Sequence, residues 1–291
     1  MQINNILVIG SGAMGSQIGM VAALAGYTTT IQDIAEDSLG AARDQLSSRM
    51  DNSVAKGRLS REDADAALER LHFTTSLEEG AANADYVIEA ATEKLEIKRA
   101  IFAALDVAAP THAILATNSS TLGSSKVASA TSRPSQVCNM HFFNPALVMK
   151  CVEVVRHEDT SQETIDTTME LARSMGKSPV LVNKEIPGFV ANRLMGALRD
   201  EALALQEAGI ASIADIDTTA KTALGHPMGP FELMDLVGLD VSYLIRMATY
   251  QETGDASDRP HPDVKALYEA GRFGKKTGSG WYDYDDSGAK K

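Results

Sequence analysis

The sequence predicts an α/β protein in which a doubly wound, mostly parallel sheet is followed by an all-helical C-terminal domain. Two observations predict this fold. Apolar, β-branched segments alternate with helical segments as far as Asn183, which is the pattern of βαβ units. After Asn183 the strand signals almost stop and long helical segments follow.

Seven segments carry the strand pattern. Because helical segments separate them, they predict a mostly parallel, buried sheet rather than a series of hairpins. In chain order they are NILVIG (5–10), YTTTIQD (27–33), ADYVIEA (84–90), HAILATN (112–118), QVCNMHF (136–142), KCVEVVR (150–156) and SPVLVN (178–183).

The C-terminal part begins with a long helix that is predicted to start after Pro187. A second helix follows, in which Ser212 and Asp215 are placed to form a capping box. The next segment, FELMDLVGLDVSYLIRMATYQETG, continues the helical character. We therefore predict a sheet domain over residues 1–184 and a helical domain over residues 185–291.

The first helix of the helical domain carries a broad apolar stripe. A stripe of this width can cover the sheet domain or pack against a second subunit, and we expect a homodimer that forms through the helical domain. The alternative is that the stripe forms only the core within one chain. The residues concerned are Phe189, Val190, Leu194, Met195, Leu198, Leu203 and Leu205.

Composition and charge exclude several classes of protein. The 291 residues are 44% hydrophobic and 23% charged, as in a globular α/β protein. The net charge of −12 argues against nucleic acid or an anionic membrane as the main partner. The two cysteines, Cys138 and Cys151, lack the spacing of a zinc or redox site, and we predict no metal. The first residues enter a strand without the basic start of a signal peptide, so we expect a cytoplasmic location.

A glycine-rich turn follows the first predicted strand. ILVIGSGAMGSQIG has the G-x-G-x-x-G spacing, with Ala13 and Met14 between the second and third glycines. Gly10 permits the tight turn, Gly12 lets the backbone approach a pyrophosphate, and Gly15 lets the helix pack against the strand. The helix then offers free amides and its positive dipole to phosphates. This context predicts a Rossmann-type domain that binds a dinucleotide.

Asp33 ends the second predicted strand, at the position where a carboxylate accepts hydrogen bonds from the adenosine ribose. A carboxylate there repels the 2′-phosphate of NADP, so NAD is the expected cofactor. The alternative is that Asp33 only forms a turn or a helix cap before IAEDS.

Several polar side chains are expected at the carboxyl edge of the sheet, where doubly wound proteins bind ligands. Asn118, Ser119 and Ser120 follow one strand, and His141 ends another. Taken alone, either serine fits a helix N-cap, and His141 fits a buried core histidine. Glu153 lies inside the apolar segment CVEVV, where a carboxylate is costly unless it is paired. A nearby imidazole would pair it.

These features coincide with motifs of a known family. The chain resembles the 3-hydroxyacyl-CoA dehydrogenases, and most closely the short bacterial 3-hydroxybutyryl-CoA dehydrogenases. The motifs that carry the resemblance are GSGAMGSQI, EAATEKLEIK, TNSSTL, HFFNPALVMKCVEVV, IPGFVANRL, GHPMGPFELMDLVGLD and GKKTGSGWYDY.

The resemblance implies a catalytic role for four residues. His141 is then the base, Glu153 orients it, and Ser120 and Asn192 hydrogen-bond the reacting oxygen. Imidazole suits the role because it titrates near working pH and exchanges a proton in both directions.

The resemblance also implies the cofactor and substrate contacts. The nicotinamide side of NAD would contact Glu93, Lys98 and Asn118, and coenzyme A would be bound near Lys56. The helical domain would then bind substrate as well as form the dimer.

The expected activity is hydride transfer with NAD(H) between a (S)-3-hydroxyacyl-CoA and its 3-ketoacyl-CoA, with 3-hydroxybutyryl-CoA and acetoacetyl-CoA as the expected pair. Two alternatives remain open. One is a dehydrogenase of a free hydroxy acid, similar to the gulonate dehydrogenases. The other is a structural protein that binds NAD without turnover.

Overall fold

The computed structural model describes residues 2–291, with every side chain except those of Glu252 and Ser257. The chain divides into two compact units, of which the first ends at Val190 and the second begins at Ala191. The sequence places the boundary earlier, after residue 184. Residues 185–190 belong to the first unit because Phe189 is buried in a small apolar cluster with Val155 and Val182.

The first unit contains all the strands of the sheet. The seven predicted segments all form strands, and the structure adds β3, which is short and buries only its first residue, Leu71. The strands are β1 (Asn5–Ile9), β2 (Thr28–Gln32), β3 (Leu71–Thr74), β4 (Tyr86–Glu89), β5 (Ile114–Thr117), β6 (Val137–Phe142), β7 (Cys151–Val155) and β8 (Ser178–Val182).

The sheet has the order β3-β2-β1-β4-β5-β6-β7-β8. Its first six positions follow the doubly wound order 3-2-1-4-5-6, and neighbouring strands are parallel throughout this part. The β7 strand runs antiparallel to β6, and β8 is parallel to β7. The predicted Rossmann-type, mostly parallel sheet is therefore confirmed. The antiparallel pair brings Glu153 directly opposite His141.

Helices cover both faces of the sheet, as a parallel sheet requires. Along β1 the side chains alternate: Ile6 and Val8 belong to one apolar cluster, and Leu7 and Ile9 to another. The helices of this unit are α1 (Ala13–Leu24), α2 (Glu36–Ala55), α3 (Arg61–Glu69), α4 (Leu77–Ala81), α5 (Leu95–Ala108), α6 (Ser125–Ala128) and α7 (Gln162–Ser174).

The second unit is helical, as predicted. Its first helix starts at Ala191 rather than directly after Pro187, because Gly188 and Phe189 adopt positive φ angles of 75° and 46° that no α-helix contains. Ser212 is the predicted N-cap and accepts the amide of Asp215 at 3.2 Å. The helices are α8 (Ala191–Glu207), α9 (Ile213–Thr222), α10 (Pro230–Val237), α11 (Leu239–Thr253) and α12 (Pro262–Glu269).

A buried aspartate fixes the C-terminal segment of the second unit. Asp235 accepts the amides of Trp281 and Tyr282 at 2.9 and 3.0 Å and the hydroxyl of Tyr284 at 2.8 Å. A Cβ atom at Gly280 would lie 2.1 Å from the Asp235 carboxylate, so only glycine fits there. The segment therefore completes the core of this unit.

Candidate active site

The glycine turn between β1 and α1 has the shape that a dinucleotide requires. Gly10 has φ of 97°, and a Cβ atom there would lie 2.7 Å from the Cα of Ala91. A Cβ atom at Gly15 would lie 1.9 Å from the Gly10 carbonyl oxygen. At Gly12 a Cβ atom would meet nothing within 4 Å, so its outer side is open. Two glycines are thus required by the fold, and the third leaves room for a ligand.

Helix α1 begins on this open side. Gly12 is its N-cap residue and has no side chain with which to bond the first amides of the helix. Those amides, which include Ala13 and Met14, are suited to bind an anion together with the helix dipole. The turn therefore fits the pyrophosphate of a dinucleotide.

Asp33 lies beside the glycine turn. One of its carboxylate oxygens accepts both the amide and the hydroxyl of Ser11 at 2.8 Å, and the other accepts the amide of Ala35 at 3.2 Å. Partial burial acts to raise the pKa of Asp33, but the hydrogen bonds from Ser11 and the backbone outweigh it, so the pKa lies below its ordinary value. Asp33 is therefore ionised at neutral pH, next to the turn that would hold the cofactor.

A buried lysine, Lys98, is bonded to the last residues of β4 and β5. The Nζ of Lys98 donates to Glu89 at 2.6 Å and to Thr117 at 3.3 Å, and it lies 4.0 Å from the carboxylate of Glu93. Glu89 also accepts the hydroxyl of Thr117 at 2.7 Å. Because the Lys98 side chain is only 2% exposed, its ammonium group depends on these partners in place of water.

Glu93 links this lysine to the loop after β5. It accepts the Ser119 hydroxyl at 2.6 Å and the Ser120 amide at 3.3 Å. Its side chain is half exposed, so it is available to a ligand at this edge. Asn118, in the same loop, accepts the amide of Phe142 through its side-chain oxygen at 2.8 Å and joins the loop to β6.

His141 and Glu153 form a buried pair. Nδ1 of His141 lies 2.9 Å from Oε2 of Glu153, and the second oxygen of Glu153 accepts the amide of Val190 at 3.0 Å. A carboxylate accepts hydrogen bonds, so this contact favours the tautomer that carries its proton on Nδ1 and has a lone pair on Nε2. The rings of Phe143 and Phe189 lie 4.6 and 5.6 Å from the imidazole and restrict its rotation.

The two serines of the β5 loop differ in their surroundings. The Ser119 hydroxyl is buried, donates to Glu93 and accepts the amide of Leu122 at 2.9 Å. Ser120 is partly exposed. Neither serine caps a helix, because α6 has Ser124 as its N-cap residue. The alternative that either serine is a helix N-cap therefore does not apply. Ser120, which is partly exposed, remains accessible to a ligand.

The turn between β6 and β7 is held by a residue that the sequence did not single out. Lys177 is buried and donates to the carbonyl oxygens of Ala146 and Met149. Burial, with Lys150 nearby, lowers the pKa of Lys177. The only feature of the sequence that pointed to this role is that Lys177 directly precedes a strand. Lysines in such positions are common on protein surfaces, so the feature is weak.

The remaining expectations concern Asn192, Lys56, metal binding and membrane spans. Asn192 is the second residue of α8 and belongs to the second unit. Lys56 is the exposed C-cap residue of α2. Within residues 2–291 no group of three or more histidine, cysteine, aspartate or glutamate side chains is placed to hold a metal ion. Among the helices of residues 2–291, none combines the length and the apolar character that a transmembrane span requires.

Comparison with known proteins identifies the same family over both units. The family model "3-hydroxyacyl-CoA dehydrogenase, NAD binding domain" matches residues 5–186. The model "3-hydroxyacyl-CoA dehydrogenase, C-terminal domain" matches residues 188–284.

Individual relatives match over nearly the full chain. A probable 3-hydroxybutyryl-CoA dehydrogenase of Bacillus subtilis is 39% identical over 98% of this chain and 99% of its own. The human mitochondrial hydroxyacyl-coenzyme A dehydrogenase is 38% identical over 97% of this chain and 91% of its own. The crystal structure of (S)-3-hydroxybutyryl-CoA dehydrogenase from Ralstonia eutropha superposes with a TM-score of 0.89 at 34% identity, covering 98% of this chain and 100% of that one.

Proposed function

The chain belongs to the 3-hydroxyacyl-CoA dehydrogenase family of NAD-dependent oxidoreductases, and we propose that it interconverts (S)-3-hydroxybutyryl-CoA and acetoacetyl-CoA. The proposed mechanism rests on the buried pair of His141 and Glu153, in which Nδ1 contacts the carboxylate and Nε2 would act as the base. The relatives named 3-hydroxybutyryl-CoA dehydrogenase support the short acyl chain.

His141 is the proposed acid and base. Oxidation of a secondary alcohol removes the hydroxyl proton and a hydride from the adjoining carbon, and NAD, when bound, accepts that hydride. Nε2 of His141 would take the proton, and the reverse reaction would return it to the carbonyl oxygen. Glu153 would fix the tautomer through Nδ1 and stabilise the imidazolium ion that forms, as a carboxylate does in a hydrolytic triad.

Ser120 and Asn192 are the proposed hydrogen-bond donors to the substrate oxygen. Negative charge develops on this oxygen as the proton leaves, and each donor placed there is worth about 3 kcal/mol in comparable sites. The partial exposure of both residues is compatible with contact to a ligand.

NAD would be held by the glycine turn, with the pyrophosphate at Gly12 and at the first amides of α1, and with the adenosine ribose on Asp33. Glu93, Lys98 and Asn118 would form the nicotinamide side. Lys98 would act from its buried position through Glu93, because its own ammonium is enclosed by Glu89 and Thr117.

Coenzyme A is proposed to bind near Lys56, whose exposed ammonium suits a phosphate of the carrier. We further propose a homodimer that forms through the helical unit and a cytoplasmic location. The dimer is supported by large apolar side chains that this unit exposes, among them Leu194, Leu236, Val237, Leu244 and Ile245.

Initial rates across a ladder of 3-ketoacyl-CoA lengths, each with NADH and NADPH, test the proposal. We expect the highest kcat/KM with acetoacetyl-CoA and NADH. Reduction of NAD by free hydroxy acids, without turnover of acetoacetyl-CoA, would instead identify the free-acid activity. Tight NADH binding without turnover of any hydroxyacyl substrate would identify a structural protein.

A further inference from the structure

The connecting segment (residues 183–190), which follows β8 and leads to α8, is bonded to two elements of the candidate site. At its end, the amide of Val190 donates to Glu153, the partner of His141. Near its start, Glu185 reaches the beginning of α6, which follows the loop that carries Ser120. One short segment thus touches both sides of the proposed acid and base chemistry.

Glu185 makes three hydrogen bonds to the start of α6. One of its oxygens accepts the Ser124 hydroxyl at 2.8 Å and the Ser125 amide at 2.9 Å, and the other accepts the Ser125 hydroxyl at 2.5 Å. A Cβ atom at Gly123 would lie 2.5 Å from this carboxylate, so the backbone at Gly123 passes directly against it. The contact is therefore close as well as polar.

Asn139 connects the start of α6 to the loop that carries Ser120. Its side-chain oxygen accepts the Ser124 amide at 2.8 Å, and its side-chain nitrogen donates to the carbonyl oxygens of Ser119 at 3.2 Å and Leu122 at 3.4 Å. Asn139 is completely buried and lies two residues before His141 in β6. The loop over residues 119–125 is thus fixed on one side by the strand of His141 and on the other by Glu185.

We propose that Glu185 is a positioning residue for the reaction: by holding the start of α6, it keeps the Ser120 hydroxyl at a fixed place relative to His141. This inference rests on the proposed function, in which Ser120 and His141 act on the same substrate oxygen. A group displaced by about 1 Å in such a site costs up to about 100-fold in rate. Glu185 would act through these bonds to Ser124 and Ser125, and not as an acid or base.

Steady-state kinetics of Glu185→Ala, alone and combined with Ser120→Ala, test this inference with acetoacetyl-CoA and NADH. We expect Glu185→Ala to lower kcat about tenfold, with the Kd of NADH changed less than about twofold, because the displaced hydroxyl acts on the substrate oxygen and not on the cofactor. In the Ser120→Ala background the same change should lower kcat less than about twofold, since no hydroxyl remains to be positioned.

Two further variants separate positioning from a general loss of structure. Glu185→Gln keeps one acceptor oxygen and should recover most of the activity lost in Glu185→Ala. Glu158→Ala is the matched control, because Glu158 is an exposed glutamate that lines the same open pocket as Glu185. It should leave kcat unchanged. If Glu185→Ala does not fold, Ser125→Ala, which removes one hydroxyl from the contact, takes its place in the same cycle.

The outcomes for the two proposals differ. Equal losses from Glu185→Ala with and without Ser120, or a loss no greater than that of Glu158→Ala, would overturn the positioning role while Ser120 keeps its place in the reaction. A wild-type kcat in Ser120→Ala alone would instead remove Ser120 from the proposed function, and with it the route by which Glu185 acts.

Discussion

Nδ1 of His141 lies 2.9 Å from Oε2 of Glu153, and the two residues face each other across an antiparallel strand pair in the interior of the sheet. The strand register sets this distance, so it does not depend on a mobile loop. Burial makes the pair costly to separate, because either partner alone would be left without its hydrogen bond. The imidazole is therefore held in one orientation before any substrate arrives.

Replacement of the proposed base gives the first prediction. His141→Gln should lower kcat by about 10³-fold, since glutamine does not exchange a proton near neutral pH. The Kd of NADH, measured by fluorescence titration, should stay nearly unchanged. His72→Gln, at an exposed position of the edge strand β3, is the control. An unchanged kcat in His141→Gln would falsify the assignment of the base.

The carboxylate partner gives the second prediction. Glu153→Gln keeps the size of the side chain but loses the charge that stabilises imidazolium, so kcat should fall by about 100-fold. KM for acetoacetyl-CoA should change much less. The control is Glu170→Gln, which alters an exposed glutamate of α7. If Glu153→Gln and Glu170→Gln have the same kcat, Glu153 takes no part in proton transfer.

Asp33 should decide the choice between NADH and NADPH. Its lowered pKa keeps the carboxylate ionised down to pH values below the ordinary range of aspartate, so the repulsion of a 2′-phosphate persists throughout the working range. Asp33→Ala should lower the ratio of kcat/KM for NADH to kcat/KM for NADPH by about tenfold or more. Asp37→Ala, in the first turn of α2, is the control. A wild-type enzyme that prefers NADPH would contradict this role of Asp33.

Asp235 should control the stability of the helical unit. Asp235→Asn removes the negative charge of the carboxylate that accepts two amides and a hydroxyl. We expect the free energy of unfolding to fall by about 2–4 kcal/mol. Trp281, the only tryptophan of the chain, reports on this segment through its fluorescence during urea unfolding. NADH affinity of the folded variant should be unaltered. A urea midpoint equal to that of the wild type would show that the segment is held by other contacts.

Glu232 should make the stability of the same unit depend on pH. Burial opposes its ionisation, but the bonds from Lys221 and Lys290 outweigh burial and lower the pKa of Glu232 from 4.5 to about 2. A lowered pKa in the folded state means that the ionised group stabilises the fold above pH 4.5 and that this contribution is lost as the pH falls towards about 2.

The measurement is the free energy of unfolding of wild type and Glu232→Gln across this range. The variant should be less stable by about 1–3 kcal/mol near neutral pH, and the difference should shrink below about pH 4.5. Glu269→Gln, at an exposed i,i+4 pair with Lys265, is the matched control and should show almost no difference at any pH. A pH-independent difference for Glu232→Gln would show that its charge is not responsible.

Local patterns in the sequence predict most of the sheet. Seven strands carry runs of apolar or β-branched residues that are long enough to be recognised, whereas β3, with the sequence LHFT, has no such run and buries only Leu71. The sequence also places the start of α8 too early, for a different reason. The positive φ angles of Gly188 and Phe189 depend on packing, and the sequence there continues a helical pattern.

In the candidate site, too, the sequence reveals some of the residues and not others. Glu153 could be singled out from the sequence because a carboxylate in an apolar strand needs a partner, and the structure places it against His141. Asn139, Lys177 and Glu185 gave no such signal. Their partners are 15 to 61 residues away along the chain, and nothing local shows which polar groups will meet.

By itself, therefore, the sequence determined the class of fold, the glycine turn with its acidic partner, and the residue types that the chemistry requires. Each of these depends on a pattern within a few neighbouring residues. Only the tertiary structure decided that β7 runs antiparallel and aligns Glu153 with His141, and that Glu185 holds the start of α6. Such contacts depend on strand order and burial, which bring together groups that are far apart in the chain.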